Sequence, residues 1–406
     1  MTELKRIILF NQGLVGVGGA ERLMFEEAKY CETIGIKTFI LTFDFNEKVL
    51  FNQTFDPNLY IFNIKYNSYN FIVKTIYRIF SLRKKIKEIN PSIIIASNAG
   101  DCIYLYFATL FTKYSYVTHI HGTIFWFKDD LLKYTFIFKK VFNKIRESVI
   151  GHREFISLKP PKVNLLQRIL SEFAAIAMYI GVRKAKKIFV LSNQMKWEVN
   201  ELFGKNAIVV KGAFPKEIFS YKQKRDIKEL LNIADKRMIL NVNRLDPRKR
   251  IDLLINAFKI ICDRIKDTVL VIGGVGPEEK NLKALVKKLN IQDRVKFIGY
   301  IKEEELWDYL LACDVFVHPN WADFAIAAYE PLALQKKVVW STEMEIDKHL
   351  TGNKYIFAAN PTVNDFAQSI EKALATEVHE KKDLSVYTWD EYCKKIIENI
   401  QSIRRD

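Results

Sequence analysis

At 406 residues the chain is too long for one ordinary domain and comfortable for two. Its 49% hydrophobic and 27% charged residues give ample material for packed cores, which excludes a disordered or fibrous protein. A total of 63 Lys and Arg against 47 Asp and Glu leaves a formal charge of +16, which favours anionic partners: nucleic acid, an anionic membrane face or phosphorylated substrates.

The N-terminal stretch "MTELKRIILFNQG" has too short an apolar core for a signal peptide and reads as a first strand. From Arg6, "RIILF" leads into the glycine-rich "NQGLVGVGGAERLMFEEAKYCETIG", a loop feeding a helix that stops near Gly35, and then into the strand "KTFILTF". Such a β-α-β unit can turn backbone amides toward an anion at the helix start. The loop would match the dinucleotide pattern G-x-G-x-x-G only with glycine at position 21, which is Glu21, so a dehydrogenase is disfavoured.

Basic residues concentrate in "FIVKTIYRIFSLRKKIKEI" (71–89) and "KYTFIFKKVFNKIR" (133–146). In the second, Phe138, Val141, Phe142, Ile145 and Val149 recur at helical spacing with Lys139, Lys140, Lys144 and Arg146 opposite. That pattern suits a helix lying in a lipid interface and equally a surface helix packed on the core. Further strands are expected at "SIIIASN", "YVTHIHG" and "KIFVLS". Residues 123 to 180 are the least regular part and read as an insertion or a mobile acceptor-side region. No apolar run approaches about 18 uninterrupted residues, so no span is expected and any membrane contact is peripheral.

His119 and His121 share one side of a continuing strand, with Gly122 opening toward a cleft. A metal pair competes there with direct ligand contact and, for His119, with a structural role. His152, His318, His349 and His379 show no companion pattern and read as structural or solvent-facing. Five scattered cysteines without a C-x-x-C pair fit neither a disulfide framework nor a zinc site and point to a reducing compartment.

After "KNAIVVKGAF" a second series of strands and helices begins near Phe214. Alternation throughout predicts parallel sheets covered on both faces, with ligands outside the carboxyl ends of the strands. Arg244 and Lys249, in "NRLDPRKR" directly after a strand, could offset a diphosphate and the charge that develops as it leaves. The loop "GGVGPE", with Gly274 and Gly276, strengthens the phosphate reading, since glycines let backbone approach a ligand closely. No G-x-S-x-G elbow, P-loop, H-E-x-x-H or nucleic-acid-binding module is present.

In order and spacing, "GGAER" (18–22), "HG" (121–122), "VLSNQMK" (190–196), "NRLDPRKRIDLLINAF" (243–258), "VIGGVGPEE" (271–279), "VKFIGYI" (295–301) and "DVFVHPN" resemble the retaining glycosyltransferases of family 4. The resemblance covers nearly the whole chain. It implies an α/β protein of GT-B architecture, two Rossmann-like domains with parallel sheets facing each other across a cleft. The expected domains are 1–213 with a returning C-terminal helix at 388–406, and 214–387 on the donor side.

By the same resemblance, Arg244 and Lys249 would hold the donor diphosphate, Gly18 and Gly19 would close over it, and His121 would face the transferred sugar. Glu330 would bind the nucleotide ribose. No metal or other cofactor is implied, because cations and amides take its place, and front-face attack would retain the anomeric configuration. The family's paired-glutamate turn is altered here: Ala322 replaces its first glutamate, and Asp323, Phe324 and Ala325 follow. Asp323, one residue along, could turn its carboxylate to the sugar.

The expected protein is therefore a cytoplasmic, metal-independent glycosyltransferase moving sugar from a nucleotide-diphosphate donor to a glycan or glycolipid acceptor. An anionic membrane surface on the cytoplasmic side is an expected further partner, and nucleic acid is not. A second reading, favoured by Ala322, is a non-catalytic GT-B protein that binds nucleotide sugar or glycan as a partner subunit.

Overall fold

A computed structural model of the chain describes residues 4–15, 19–46, 61–65, 70–122, 131–150, 162–320, 326–380 and 382–403, with backbone alone at 20 and 145–150. The chain divides into two compact units, Met1–Gly212 with Trp389–Asp406, and Ala213–Thr388.

The first unit contains β1 (Arg6–Phe10), β2 (Gly13–Leu14), β3 (Lys37–Thr42), β4 (Asp44–Phe45), β5 (Ile61–Asn63), β6 (Ile93–Ala96), β7 (Tyr116–Ile120), β8 (Ile188–Val190) and β9 (Ile208–Val209). Seven of them form a parallel sheet in the order β5-β3-β1-β6-β7-β8-β9, while β2 and β4 pair separately. The inner strands are apolar without alternation because helices cover both faces: all four residues of β6 are buried. The final helix, Trp389–Ser402, packs against the helix Gly19–Thr33 of this same unit. Its buried stripe Tyr392, Cys393, Ile396, Ile397 and Ile400 follows helical periodicity.

The second unit holds β10 (Arg237–Val242), β11 (Thr268–Gly273), β12 (Val295–Gly299), β13 (Val315–His318), β14 (Lys337–Ser341) and β15 (Ile356–Ala359). They form one parallel sheet in the order β12-β11-β10-β13-β14-β15. Two apolar clusters occupy its opposite faces. One is built around Trp340, Tyr329 and Phe316, the other around Phe258, Leu270 and Phe366. Neighbouring residues of β10 and β13 divide between them, as the pleat requires.

Two sequence expectations change here. The stretch read as least regular contains helices at Phe136–Ile150 and Leu165–Lys184, the second started by a capping box between Asn164 and Gln167. In the first of these helices Phe138 and Phe142 are buried, Phe138 against Phe203 and Phe142 against Tyr134. The described part of its apolar stripe thus packs on the protein and is not free for lipid. Leu165–Lys184 is long and apolar enough, by length and composition, to cross a membrane, which a search for uninterrupted apolar runs overlooks.

Candidate functional site

Each sheet places functional side chains at its carboxyl edge, and the two sets belong to different units. In the first unit, His119 lies near the end of β7 and is fully buried. Its Nδ1 is 3.0 Å from Glu27 Oε1 and 2.7 Å from the Tyr392 hydroxyl, which donates to the same Glu27 oxygen at 2.9 Å. Glu27 sits on the buried side of its helix beside Leu23, Met24, Ala28 and Cys31. Burial pushes its carboxyl up to about 7 and holds His119 down to about 3, so the imidazole is neutral at physiological pH. The network joins the helix carrying Gly19, the strand leading to His121 and the C-terminal helix.

His121 follows directly, its ring centroid 4.1 Å from that of His119. Both of its ring nitrogens are buried and lack a well-formed hydrogen bond among the described residues. Burial first, then the neighbouring His119, hold it well below the usual histidine range. A neutral imidazole with unused nitrogens beside Gly122 is equipped to donate to or accept from a hydroxyl. Glu27, His119 and His121 also offer ligand atoms within 4.8 Å of one another, a spacing a metal ion can use. Glu27 and His119 nevertheless already satisfy each other through Tyr392.

Nearby, Asp101 is buried at the start of its helix and accepts from the amides of Gln12 (2.9 Å) and Ser97 (3.2 Å). It thereby ties the loop after β1 to the loop after β6, and burial raises its carboxyl to about 7.

In the second unit, the residues after β10 make a short turn, Pro247–Lys249, opened by Asp246, whose side chain accepts from the Arg248 amide. Arg244 is exposed and Lys249 half-buried. Arg250 closes the turn in the left-handed region (φ 48°), a conformation that costs a non-glycine residue about 1–2 kcal/mol. It is held there by a buried ion pair with Glu343, beyond the end of β14.

The glycine loop after β11 serves this turn. Gly274 (φ 118°) and Gly276 lie so close to the Asn243 and Leu245 carbonyls that a Cβ at either position would overlap them. Leu245 donates to Val275 at 3.0 Å, and Glu278 donates back to Leu245 at 3.0 Å. These glycines therefore let one backbone approach another and fix the loop bearing Arg244, a requirement the phosphate reading does not include.

His318, at the end of β13, belongs to the same edge. It is fully buried, its Nδ1 3.5 Å from Asn243 Nδ2, and its Nε2 has no partner among the described residues. Burial, then the Lys249 charge, lower it to about 3. Of the two sequence readings, structural or solvent-facing, burial removes the solvent-facing one, and Asn243 and Lys249 are companions the sequence pattern did not show. Because β10 pairs with β13, Asn243, just past β10, meets His318 at the end of β13.

Glu330, on the helix Ile326–Ala333, is buried and accepts from Trp307 Nε1 at 3.4 Å. Asn320 Nδ2 is a further buried atom without a partner among the described residues. Gly18, Ala322, Asp323, Phe324 and Ala325 lie outside the described residues, while Gly19 begins its helix.

Comparisons bear on the whole chain. The family model described as Glycosyltransferase Family 4 matches residues 17–211, and that described as Glycosyl transferases group 1 matches residues 222–401. An uncharacterized glycosyltransferase of Methanocaldococcus jannaschii is 28% identical over 239 residues, 54% of this chain and 60% of its own length. The phosphatidylinositol N-acetylglucosaminyltransferase GPI3 subunit of Saccharomyces cerevisiae is 23% identical over 199 residues, 47% of this chain and 44% of its own. The chain thus spans less than two thirds of the length of these curated relatives. A glycosyltransferase crystal structure from Rickettsia africae superposes with a TM-score of 0.73 at 16% identity, covering 99% of both chains. Two parallel α/β units, both family matches and this structural likeness agree: the chain belongs to the GT-B glycosyltransferases of group 1.

Proposed function

We propose that the protein transfers a sugar from a nucleotide-diphosphate donor to a glycan or lipid-linked acceptor, with retention and without a metal. The observation that carries this reading is the second unit's carboxyl edge. Lys249 stands there beside a histidine held neutral, with Arg244 on the same loop and a buried carboxylate, Glu330, on the helix after β13. Lys249 and Arg244 offset the charge that develops on the departing diphosphate, a contribution larger in the transition state than in the ground state. Keeping His318 neutral spares the loop a third positive charge and leaves Nε2 as a hydrogen-bonding group. Glu330 holds the ribose hydroxyls, and Asp323, Phe324 and Ala325 with Gly274 and Gly276 complete the donor site.

In the first unit, His121 faces the transferred sugar, and Gly18 and Gly19 supply amides at a helix start. No carboxylate nucleophile is assigned. The leaving phosphate takes the acceptor's proton as the new bond forms on the face the phosphate departs from. Similarity to a phosphatidylinositol N-acetylglucosaminyltransferase subunit supports a lipid-linked acceptor. The altered turn at Ala322 favours the second reading, a non-catalytic nucleotide-sugar-binding subunit; the intact Arg244 and Lys249 pair favours the enzyme.

Thermal unfolding with added nucleoside diphosphates tests the donor site. A ligand at about 100 times its Kd stabilises by about 2.7 kcal/mol. One nucleoside diphosphate should raise the midpoint of the wild type and leave Arg244→Ala and Lys249→Ala largely unmoved. Equal stabilisation of the variants would remove the diphosphate assignment.

A further inference from the structure

In the first unit, the helices Phe71–Ile89 and Leu165–Lys184 both pack against the helix Asp101–Thr109, and their outer faces are exposed among the described residues of the unit. On the first, Val73, Ile76 and Phe80 recur at helical spacing, with Phe80 67% exposed; on the second, Leu166, Ile169 and Phe173 do the same, with Phe173 66% exposed. Isolated exposed apolar residues are ordinary, but two helices that flank the same helix and each carry an exposed apolar stripe are not.

The order of residues along each stripe is also the same. Apolar side chains occupy the N-terminal part, and exposed lysines, Lys84 and Lys87 on one helix and Lys184 on the other, continue the stripe at its C-terminal end. The exposed Glu88, one turn past Lys84, is paired with Lys85 at 3.0 Å, and Glu172 on the second helix accepts from the Phe136 amide, so the lysines set the sign of the charge at these ends. Each helix leads into a strand of the same parallel sheet, β6 or β8, so both run antiparallel to the strands. Their apolar ends consequently share the carboxyl edge of the sheet with His121 and the start of the helix at Gly19.

We infer that these two helices form a surface that docks on an anionic lipid bilayer. Aromatic and aliphatic side chains enter the headgroup boundary, and the lysines, at the far end of each stripe, meet lipid phosphates through their long flexible stems. Leu165–Lys184 lies on such a bilayer and does not cross it. Its inner face, Ala175, Met178 and Val182, is buried in the unit, and the Tyr116 hydroxyl donates to the Gly181 carbonyl at 2.6 Å. The surface would hold the unit's carboxyl edge at the membrane, where a lipid-linked acceptor resides. It deepens the proposed function but does not require it, because docking needs neither donor nor acceptor.

Sedimentation of the full-length protein with phosphatidylglycerol-containing or pure phosphatidylcholine vesicles tests the inference, with no nucleotide sugar present. Binding is expected only to the anionic vesicles. It should weaken with salt, and by about tenfold or more in the double variant Phe80→Ser, Phe173→Ser with unchanged circular dichroism. Lys84→Gln with Lys87→Gln and Lys184→Gln should lower binding and its salt dependence while leaving the apolar stripes intact. Equal binding to both vesicle types, or binding indifferent to these substitutions, would overturn the inference. So would sedimentation velocity showing that the same face instead pairs two copies of the chain, with the dimer dispersed by the phenylalanine changes. Nucleoside diphosphate binding, measured without lipid, stands or falls separately.

Discussion

His318 shows how a residue's neighbourhood decides its chemistry. It is neutral in the folded chain because burial and Lys249 lower it to about 3, whereas the unfolded chain takes up a proton near 6.5. The unfolded state therefore binds more protons between these values. The stability His318 contributes is fully present above about pH 6.5 and is lost as pH falls, at up to about 1.4 kcal/mol per pH unit. His119, at about 3, acts with the same sign. Glu27, raised to about 7, acts oppositely, costing stability as pH rises from about 4.5. Urea unfolding of wild type and His318→Gln between pH 7.5 and 5 isolates the first contribution. The variant should show the shallower acid loss; parallel curves would take His318 out of the balance.

Other residues of the site were legible to different degrees. The shared side of His119 and His121 followed from strand alternation alone, and their rings do lie together. Glu27 was missed although it falls on the apolar stripe of its helix, which is where a buried carboxylate announces itself in a sequence. Tyr392 could not have been found this way, since its partners are 365 and 273 residues distant.

Among the elements, strands were the easiest to read, because burial on both faces leaves runs such as "RIILF", "SIIIAS" and "DVFVHP" that admit few alternatives. Helices were harder. An apolar stripe shows that a helix has a side to cover but not whether protein or lipid covers it, so the stripe at Phe138 and Phe142 gave no sign that it packs inward while those at Phe80 and Phe173 do not. The loop Gly274–Gly276 illustrates a second limit: its glycines were visible, but the carbonyls they accommodate belong to Asn243 and Leu245, 31 residues earlier in each case. Gly274→Ala should combine a strained backbone with a clash against Asn243 and cost more than about 2 kcal/mol. Thermal unfolding measures it, and a midpoint near that of the wild type would show that the two loops need not touch.

At the scale of the whole molecule, two parallel α/β units with a C-terminal helix that packs on the first were readable from the alternation of elements and from family resemblance together. Charge was informative only once placed: +16 over the chain names no partner, whereas lysines continuing two exposed apolar stripes are the basis on which an anionic lipid surface is proposed. Sugar transfer rests on family membership and on Lys249 and Arg244 at one sheet edge. The decisive measurement is release of nucleoside diphosphate from a panel of nucleotide sugars, with and without lipid and glycan extracts, by wild type and Lys249→Ala. Acceptor-dependent release from one donor, reduced about 100-fold or more in the variant, is the expected result. Donor binding without any turnover, or turnover indifferent to Lys249, would contradict it.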